Sequence, residues 1–209
     1  ALQALSDECG ILAINKKLIQ NGIIEIPTTG KLDPISIGPL ISGLIPENAI
    51  VSDEAATSSL FVTPHTLMAK PHDWLALTGG SIGQGLPLAI GAAIAKPDRP
   101  VITLHGDGGA MYTIQALWTQ ARENLNITNI IFANNSYEIL KIELDRVGAV
   151  KTGERAESML SLENPSIDWI QLSKSMGVPS FAPNSVEEFT KVFSQSIKEQ
   201  GPSLIVIHL

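Results

Sequence analysis

The chain has 209 residues, somewhat more than one average domain of about 150, and 44% hydrophobic against 17% charged residues is enough for a packed interior and excludes intrinsic disorder. Fourteen basic against 21 acidic side chains leave a net charge of −7 and a pI near 5.0, which speaks against a nucleic-acid surface and against polybasic membrane contact. The lone cysteine, Cys9, has no internal disulfide partner, no Cys/His set has zinc-finger spacing, and the longest apolar run, at 86–95, falls short of the roughly 20 residues that span a bilayer, so the expectation is a cytoplasmic protein.

In chain order, a helical-looking stretch over 2–20 leads into Pro27-Thr28-Thr29-Gly30, and residues 1–30 read as a linker or the remnant of a preceding domain. Ile37, Leu40, Ile41 and Leu44 recur at helical spacing over 35–44, and Pro46 ends that helix. A short strand at 49–52 and a second at 75–78 follow. The glycine-rich run 79–85 breaks the pattern, and a helix of small residues continues to about residue 95. A buried strand at 100–105 precedes a helix over 110–122, with Ile114, Leu117, Trp118 and Ala121 expected on one face. The next strand is 129–133. Ser185 with Glu188 three residues later forms a capping box for a helix carrying Val186, Phe189, Phe193 and Ile197, and 203–207 is a last buried strand. Strands alternating with helices predict an α/β fold, a parallel sheet of five or six strands with helices on both faces, over residues 31–209.

In such sheets ligands bind beyond the carboxyl ends of the strands. Gly106-Asp107-Gly108-Gly109 follows the 100–105 strand, and Asn134-Asn135-Ser136-Tyr137 follows the 129–133 strand. Adjacent parallel strands would set a carboxylate beside a carboxamide, an oxygen donor set that suits Mg²⁺ bridging to a ligand phosphate. Either segment alone reads as a turn. A nicotinamide dinucleotide site is disfavoured, since Leu88 and Met111 stand where the third glycine of that fingerprint belongs.

Together, Gly-Asp-Gly and an Asn 27 positions after the Asp resemble the signature of thiamine diphosphate enzymes. The resemblance runs from about residue 35 to the C-terminus and is strongest to the C-terminal, diphosphate-binding domain of the family that includes acetolactate synthase large subunits and benzoylformate decarboxylase. It implies thiamine diphosphate and Mg²⁺ as cofactors, with metal ligands at Asp107, Asn134 and the carbonyl of Ser136. A slip of one residue would select Asn135 in place of Asn134. The catalytic positions implied are Gly80, whose carbonyl would accept from the cofactor's exocyclic amine, and Ile82, an apolar wedge that holds the cofactor so that its own imino group reaches the reacting carbon. Ser81 lies between them. Glu54, Ala56 and Thr57 fall in a loop that binds the diphosphate in relatives, Gly106, Gly108 and Gly109 surround the metal-binding Asp, and Tyr137, Glu138 and Ile139 continue into the active-site mouth. The amides of Gly109, Ala110 and Met111, at a helix start, favour the same diphosphate.

Of the histidines, His65 and His72 are expected as exposed loop groups and His105 as a hydrogen-bonded group at a strand end. Acetolactate synthases carry a Trp before a Glu after the metal loop, whereas Lys141-Ile142-Glu143 stands here. The catalytic glutamate of the family belongs to a pyrimidine-binding domain, usually of a partner subunit, and no residue here matches it. The resemblance therefore implies a C-terminal fragment of a 2-oxo acid decarboxylase or carboligase, acetolactate synthase-like, inactive on its own and part of a homodimer or homotetramer. The alternatives are a benzoylformate decarboxylase-like lyase, or a non-catalytic subunit that retains the fold.

Overall fold

A computed structural model of the chain describes residues 4, 7, 8, 25–149 and 153–209. The helix expected over 2–20 lies outside the described residues except at Ala4, Asp7 and Glu8. The first complete element is α1 (Pro34–Leu44): Asp33 accepts from the amides of Ile35 and Ser36, the Ser36 hydroxyl reciprocates at the Asp33 amide, and Pro34 supplies the preset first turn. Then come β1 (Ile50–Glu54), α2 (Ser59–Thr66), β2 (Asp73–Ala76), α3 (Gly85–Ala95) and β3 (Val101–Gly106). The one-turn α4 (Asp107–Ala110), α5 (Ala116–Arg122), β4 (Ile127–Ala133), α6 (Glu138–Arg146) and α7 (Glu154–Met159) lead to α8 (Trp169–Ser175), β5 (Ser180–Phe181), α9 (Val186–Ser196) and β6 (Ser203–His208).

All strand pairings in this sheet are parallel, and the strand order is β2-β1-β3-β4-β6-β5. The central strands are buried at nearly every position because both faces are covered. On one face Ile37, Leu40 and Ile41 of α1, Val62 of α2 and the stacked pair Phe189 and Phe193 of α9 pack on Ile102, Leu104, Ile130, Phe132 and Ile205. On the other, Leu86 of α3, Leu117 of α5 and Trp169 of α8 pack on Ile131, Leu204 and Val206. A buried polar set crosses this second face: Asn129 of β4 receives a bond from Thr103 Oγ1, exchanges bonds with Gln120 of α5, and donates to the Ser203 carbonyl.

The order of the strands creates the site. From β1 the chain leaves through α2 on the first face, and from β3 it leaves through α5 on the second, so the chain parts between the carboxyl ends of β1 and β3. That divergence opens a crevice at the strand ends.

Several sequence expectations are corrected. The helix expected at 110–122 forms only over Ala116–Arg122; Ala110 ends the separate one-turn α4, and Thr113, whose hydroxyl donates to the Gly83 carbonyl, lies in the turn between them. Trp118 does not join the buried face: it is 53% exposed beneath the Arg122 guanidinium, while Gln120 points inward to satisfy Asn129. The second strand lies two residues earlier than 75–78. His65 lies on α2, an element hidden in the sequence by its shortness and its internal Pro64, though the side chain is exposed as expected. Helix α8 lies outside the expected elements, although Asp168, which caps it by accepting from the Gln171 amide and side chain, is a legible start signal.

Candidate cofactor site

A cavity of about 370 Å³ fills the crevice beyond the carboxyl ends of β1, β3 and β4. Three chain segments converge on it. The β1 end brings Glu54, Ala56 and Thr57; the β3 end brings Gly106, Asp107, Gly108 and Gly109; and the β4 end brings Asn134, Ser136, Tyr137, Glu138 and Ile139. Ile82 enters from the glycine-rich turn before α3. Gly80 and Ser81 lie on the exposed approach to Ile82 and outside the cavity lining, with the Gly80 carbonyl accepting from the Ile82 amide at 2.9 Å.

Asp107 is 2% exposed at the end of β3. One carboxylate oxygen accepts from the Gly108 amide at 2.8 Å and the other from the Asn135 amide at 2.6 Å, so the β4 loop is laced to the β3 loop through this side chain. Burial pushes its carboxyl above the ordinary range, and the backbone donors offset only part of that cost. Asn134 closes an Asx turn on the Ser136 amide at 3.0 Å and lines the cavity, whereas Asn135 adopts a left-handed φ of 55° and is not among the lining residues. A bridge to the 160–162 segment uses the Asn135 carbonyl and the Tyr137 amide, not the Ser136 carbonyl. The Tyr137 ring lies against Gly108, where a Cβ would sit 2.6 Å from a ring carbon, so only glycine fits beneath it.

Glu54, at the end of β1, lines the cavity and also engages the turn before α3. Its carboxylate accepts from the amides of Gly83 and Gly85, at 2.5 Å for Gly85, and is buried against His105. His105 is fully buried and burial lowers its pKa to about 3, so it is neutral; neither ring nitrogen has a hydrogen-bond partner among the described residues, contrary to the expectation of a bonded strand-end group. Sequence reasoning also passed over Leu77, Tyr112, Met159 and Leu160, which supply apolar walls from outside the motifs.

The electrostatics of the lining are one-sided. Among the described residues it contains three carboxylates, Glu54, Asp107 and Glu138, and no Lys, Arg or His. A phosphate ester entering such a site needs a cation between itself and the protein. The oxygen donors at Asp107, Asn134 and Ser136 are the hard set that Mg²⁺ takes when it shares its shell with a ligand phosphate.

The family described as thiamine pyrophosphate enzyme, C-terminal TPP binding domain, matches residues 54–207. The chain belongs to that family. A Mycobacterium tuberculosis protein carrying the name putative acetolactate synthase large subunit IlvX is 47% identical over 87% of this chain, and a Pseudomonas aeruginosa benzoylformate decarboxylase is 28% identical over 85%. Among solved structures, a thiamine diphosphate-dependent 4-hydroxybenzoylformate decarboxylase from Rhodococcus jostii superposes with a TM-score of 0.73 at 30% identity over 85% of this chain. The chain spans about a third of the length of these relatives, 35%, 32% and 32% respectively. As a TPP-binding domain it accounts for the crevice at the strand ends. The lack of basic side chains among the described lining residues distinguishes it from phosphate sites built on Lys or Arg. No helix of the described residues is long and apolar enough to cross a membrane.

Proposed function

We propose that this chain is the diphosphate- and Mg²⁺-holding part of a cytoplasmic 2-oxo acid decarboxylase or carboligase, acetolactate synthase-like, working with a pyrimidine-binding domain supplied by a partner subunit in a homodimer or homotetramer. The observation that carries the metal assignment is the cavity with three carboxylates and no basic side chain among its described lining residues, which accepts a diphosphate only through a cation. Asp107 and Asn134 hold Mg²⁺ by side-chain oxygens and Ser136 by its carbonyl. The exclusion of Asn135 from the lining supports that register over the one-residue slip.

Thr57 and the amide of Gly109 take remaining phosphate oxygens, the Gly108 amide being engaged by Asp107. Ile82 supports the apolar end of the cofactor, Gly80 and Ser81 flank it, and Tyr137, Glu138 and Ile139 border the space left for the 2-oxo acid. When bound, thiamine diphosphate supplies the carbanion that attacks the 2-oxo group. This chain orients the cofactor and excludes water from its diphosphate end. The second reading, a benzoylformate decarboxylase-like lyase, draws on the TM-score of 0.73 to the Rhodococcus enzyme. Carbon dioxide release from pyruvate against benzoylformate, measured on the assembled enzyme, separates the two.

Calorimetry with thiamine diphosphate tests the cofactor assignment. Binding is expected only with Mg²⁺ present, and Asp107→Ala is expected to weaken it at least about a hundredfold, the scale of a lost charge-assisted contact. Equal affinity with and without Mg²⁺, or in the variant, would overturn the assignment.

A further inference from the structure

The turn that presents Ile82 is held only in part by its own residues, through the Ile82 amide on the Gly80 carbonyl and the Gln84 amide on the Ser81 carbonyl. Gln84, at the N-cap of α3, makes no side-chain capping bond. The amides of Gly83 and Gly85 donate instead to the two oxygens of one carboxylate, Glu54, which is 29 and 31 residues earlier on another strand. The carbonyl of Gly83 is gripped from the opposite side by Thr113 Oγ1 at 2.8 Å. Gly83 itself has a φ of 89°, and a Cβ there would meet Tyr112 Cβ at 2.9 Å and Thr113 Cγ2 at 3.0 Å, so this residue is clamped at its amide, its carbonyl and its open face.

Glu54 is 4% exposed, and the basic group beside it, His105 at 3.7 Å, is uncharged. Its charge is therefore balanced by two N–H groups at the amino end of an 11-residue helix, where the helix dipole favours an anion. A carboxylate kept out of water in this way is costly. Diphosphate binding gives no reason for it, since one anion does not recruit another. Ile82, one residue before the clamped Gly83, is 53% exposed and does not belong to the buried clusters among the described residues.

We propose that Glu54 is a positioning residue: by bracketing Gly83 and Gly85 it holds the Ile82 side chain at a set depth in the cavity, so that the apolar end of the cofactor meets a rigid support. The inference rests on the thiamine diphosphate reading above. Glu54 touches neither the diphosphate nor the metal in this scheme, and its effect reaches the cofactor through Ile82.

The test uses the full chain and two ligands, Mg²⁺-pyrophosphate and Mg²⁺-thiamine diphosphate, with amide hydrogen exchange measured in the cofactor-free protein. Glu54→Gln keeps the size of the side chain but offers one acceptor oxygen where two are used. Exchange at Gly83 and Gly85 is expected to accelerate about tenfold or more, the loss of one hydrogen bond to a charged group, while amides of β3 and β4 stay unchanged. Affinity for pyrophosphate is expected to hold, and affinity for thiamine diphosphate to fall about tenfold toward it. Ile82→Ala should reproduce the thiamine diphosphate loss without the faster exchange, and Thr113→Val, which loosens the same turn from its other side, should repeat both effects if Glu54→Gln does not fold. Unchanged exchange, or equal losses for the two ligands, would overturn the positioning role. Wild-type protein that binds neither ligand would instead overturn the cofactor reading, and the exchange result would still decide whether Glu54 holds the turn.

Discussion

Asp107 is bonded to backbone N–H groups of two loops, and its burial raises its carboxyl pKa. Such a side chain is stabilised by a cation that no described lining residue of the cavity provides, which is why the metal assignment falls on it and not on the more exposed Glu138. The neighbouring asparagines separate by geometry. Asn134 turns into the cavity, and Asn135 takes the left-handed conformation that lets its amide reach Asp107. Asn134→Ala is accordingly expected to lower Mg²⁺-dependent thiamine diphosphate affinity at least about tenfold, whereas Asn135→Gly, which keeps the amide and tolerates the positive φ, should stay within about twofold. Calorimetry on the two variants checks this, and the reverse order would move the metal ligand to Asn135. The motif spacing selects Asn134, and the cavity lining, which includes Asn134 and leaves out Asn135, agrees with that choice.

At the scale of elements, β3 ends in a residue whose charge state is set by packing. His105 is enclosed between Gly85 and Glu54, and its pKa lies near 3 when folded against about 6.5 when unfolded. The unfolded chain therefore binds the proton first as pH falls. The neutral imidazole's contribution to stability is complete above about pH 6.5 and is lost progressively below it. In chelator, so that no cation sits on Asp107, about 2 kcal/mol of stability is expected to disappear between about pH 7 and pH 5 on this account. Denaturant unfolding of His105→Leu should lack that component, and identical pH slopes for variant and wild type would refute it. The glycine at 85 belongs to the same arrangement: a Cβ there would lie 2.4 Å from His105 Nε2, so the close approach of α3 to β1 and β3 requires glycine.

For the whole molecule, the mouth of the cavity is bordered by exposed apolar side chains: Ile82 at 53%, Leu140 at 46%, Ile139 at 42% and Met159 at 73%. Exposed apolar side chains grouped at one cavity are the kind of surface that the proposed partner domain would cover. The aligned part of this chain spans about a third of the relatives' length, and the buried acidic groups of the cavity are already engaged: Glu54 is committed to Gly83 and Gly85, and Asp107 to the loops that form the candidate metal site. The 209-residue chain alone, saturated with thiamine diphosphate and Mg²⁺, is expected to release no carbon dioxide from pyruvate or benzoylformate, and to regain turnover when a pyrimidine-binding domain is supplied covalently or in trans. Robust decarboxylation by the chain alone would place a catalytic acid within it, and Glu54→Gln would be the first variant to assay.

The sequence by itself determined the alternation of strands and helices, the parallel sheet with both faces covered, and the Gly106-Asp107 and Asn134 ends at which chemistry concentrates, because periodicity, glycine placement and motif spacing are local properties of the chain. Only the tertiary structure decided which acidic groups are free and which are spent. Glu54, in the expected diphosphate loop, also caps α3 from β1; His105, expected as a bonded strand-end group, has no partner among the described residues; and Trp118, expected on the buried face, is exposed while Gln120 turns inward to Asn129. Each of these depends on a contact between residues distant in sequence or on different elements, and the free energy of a buried polar group is set by such partners rather than by its neighbours along the chain.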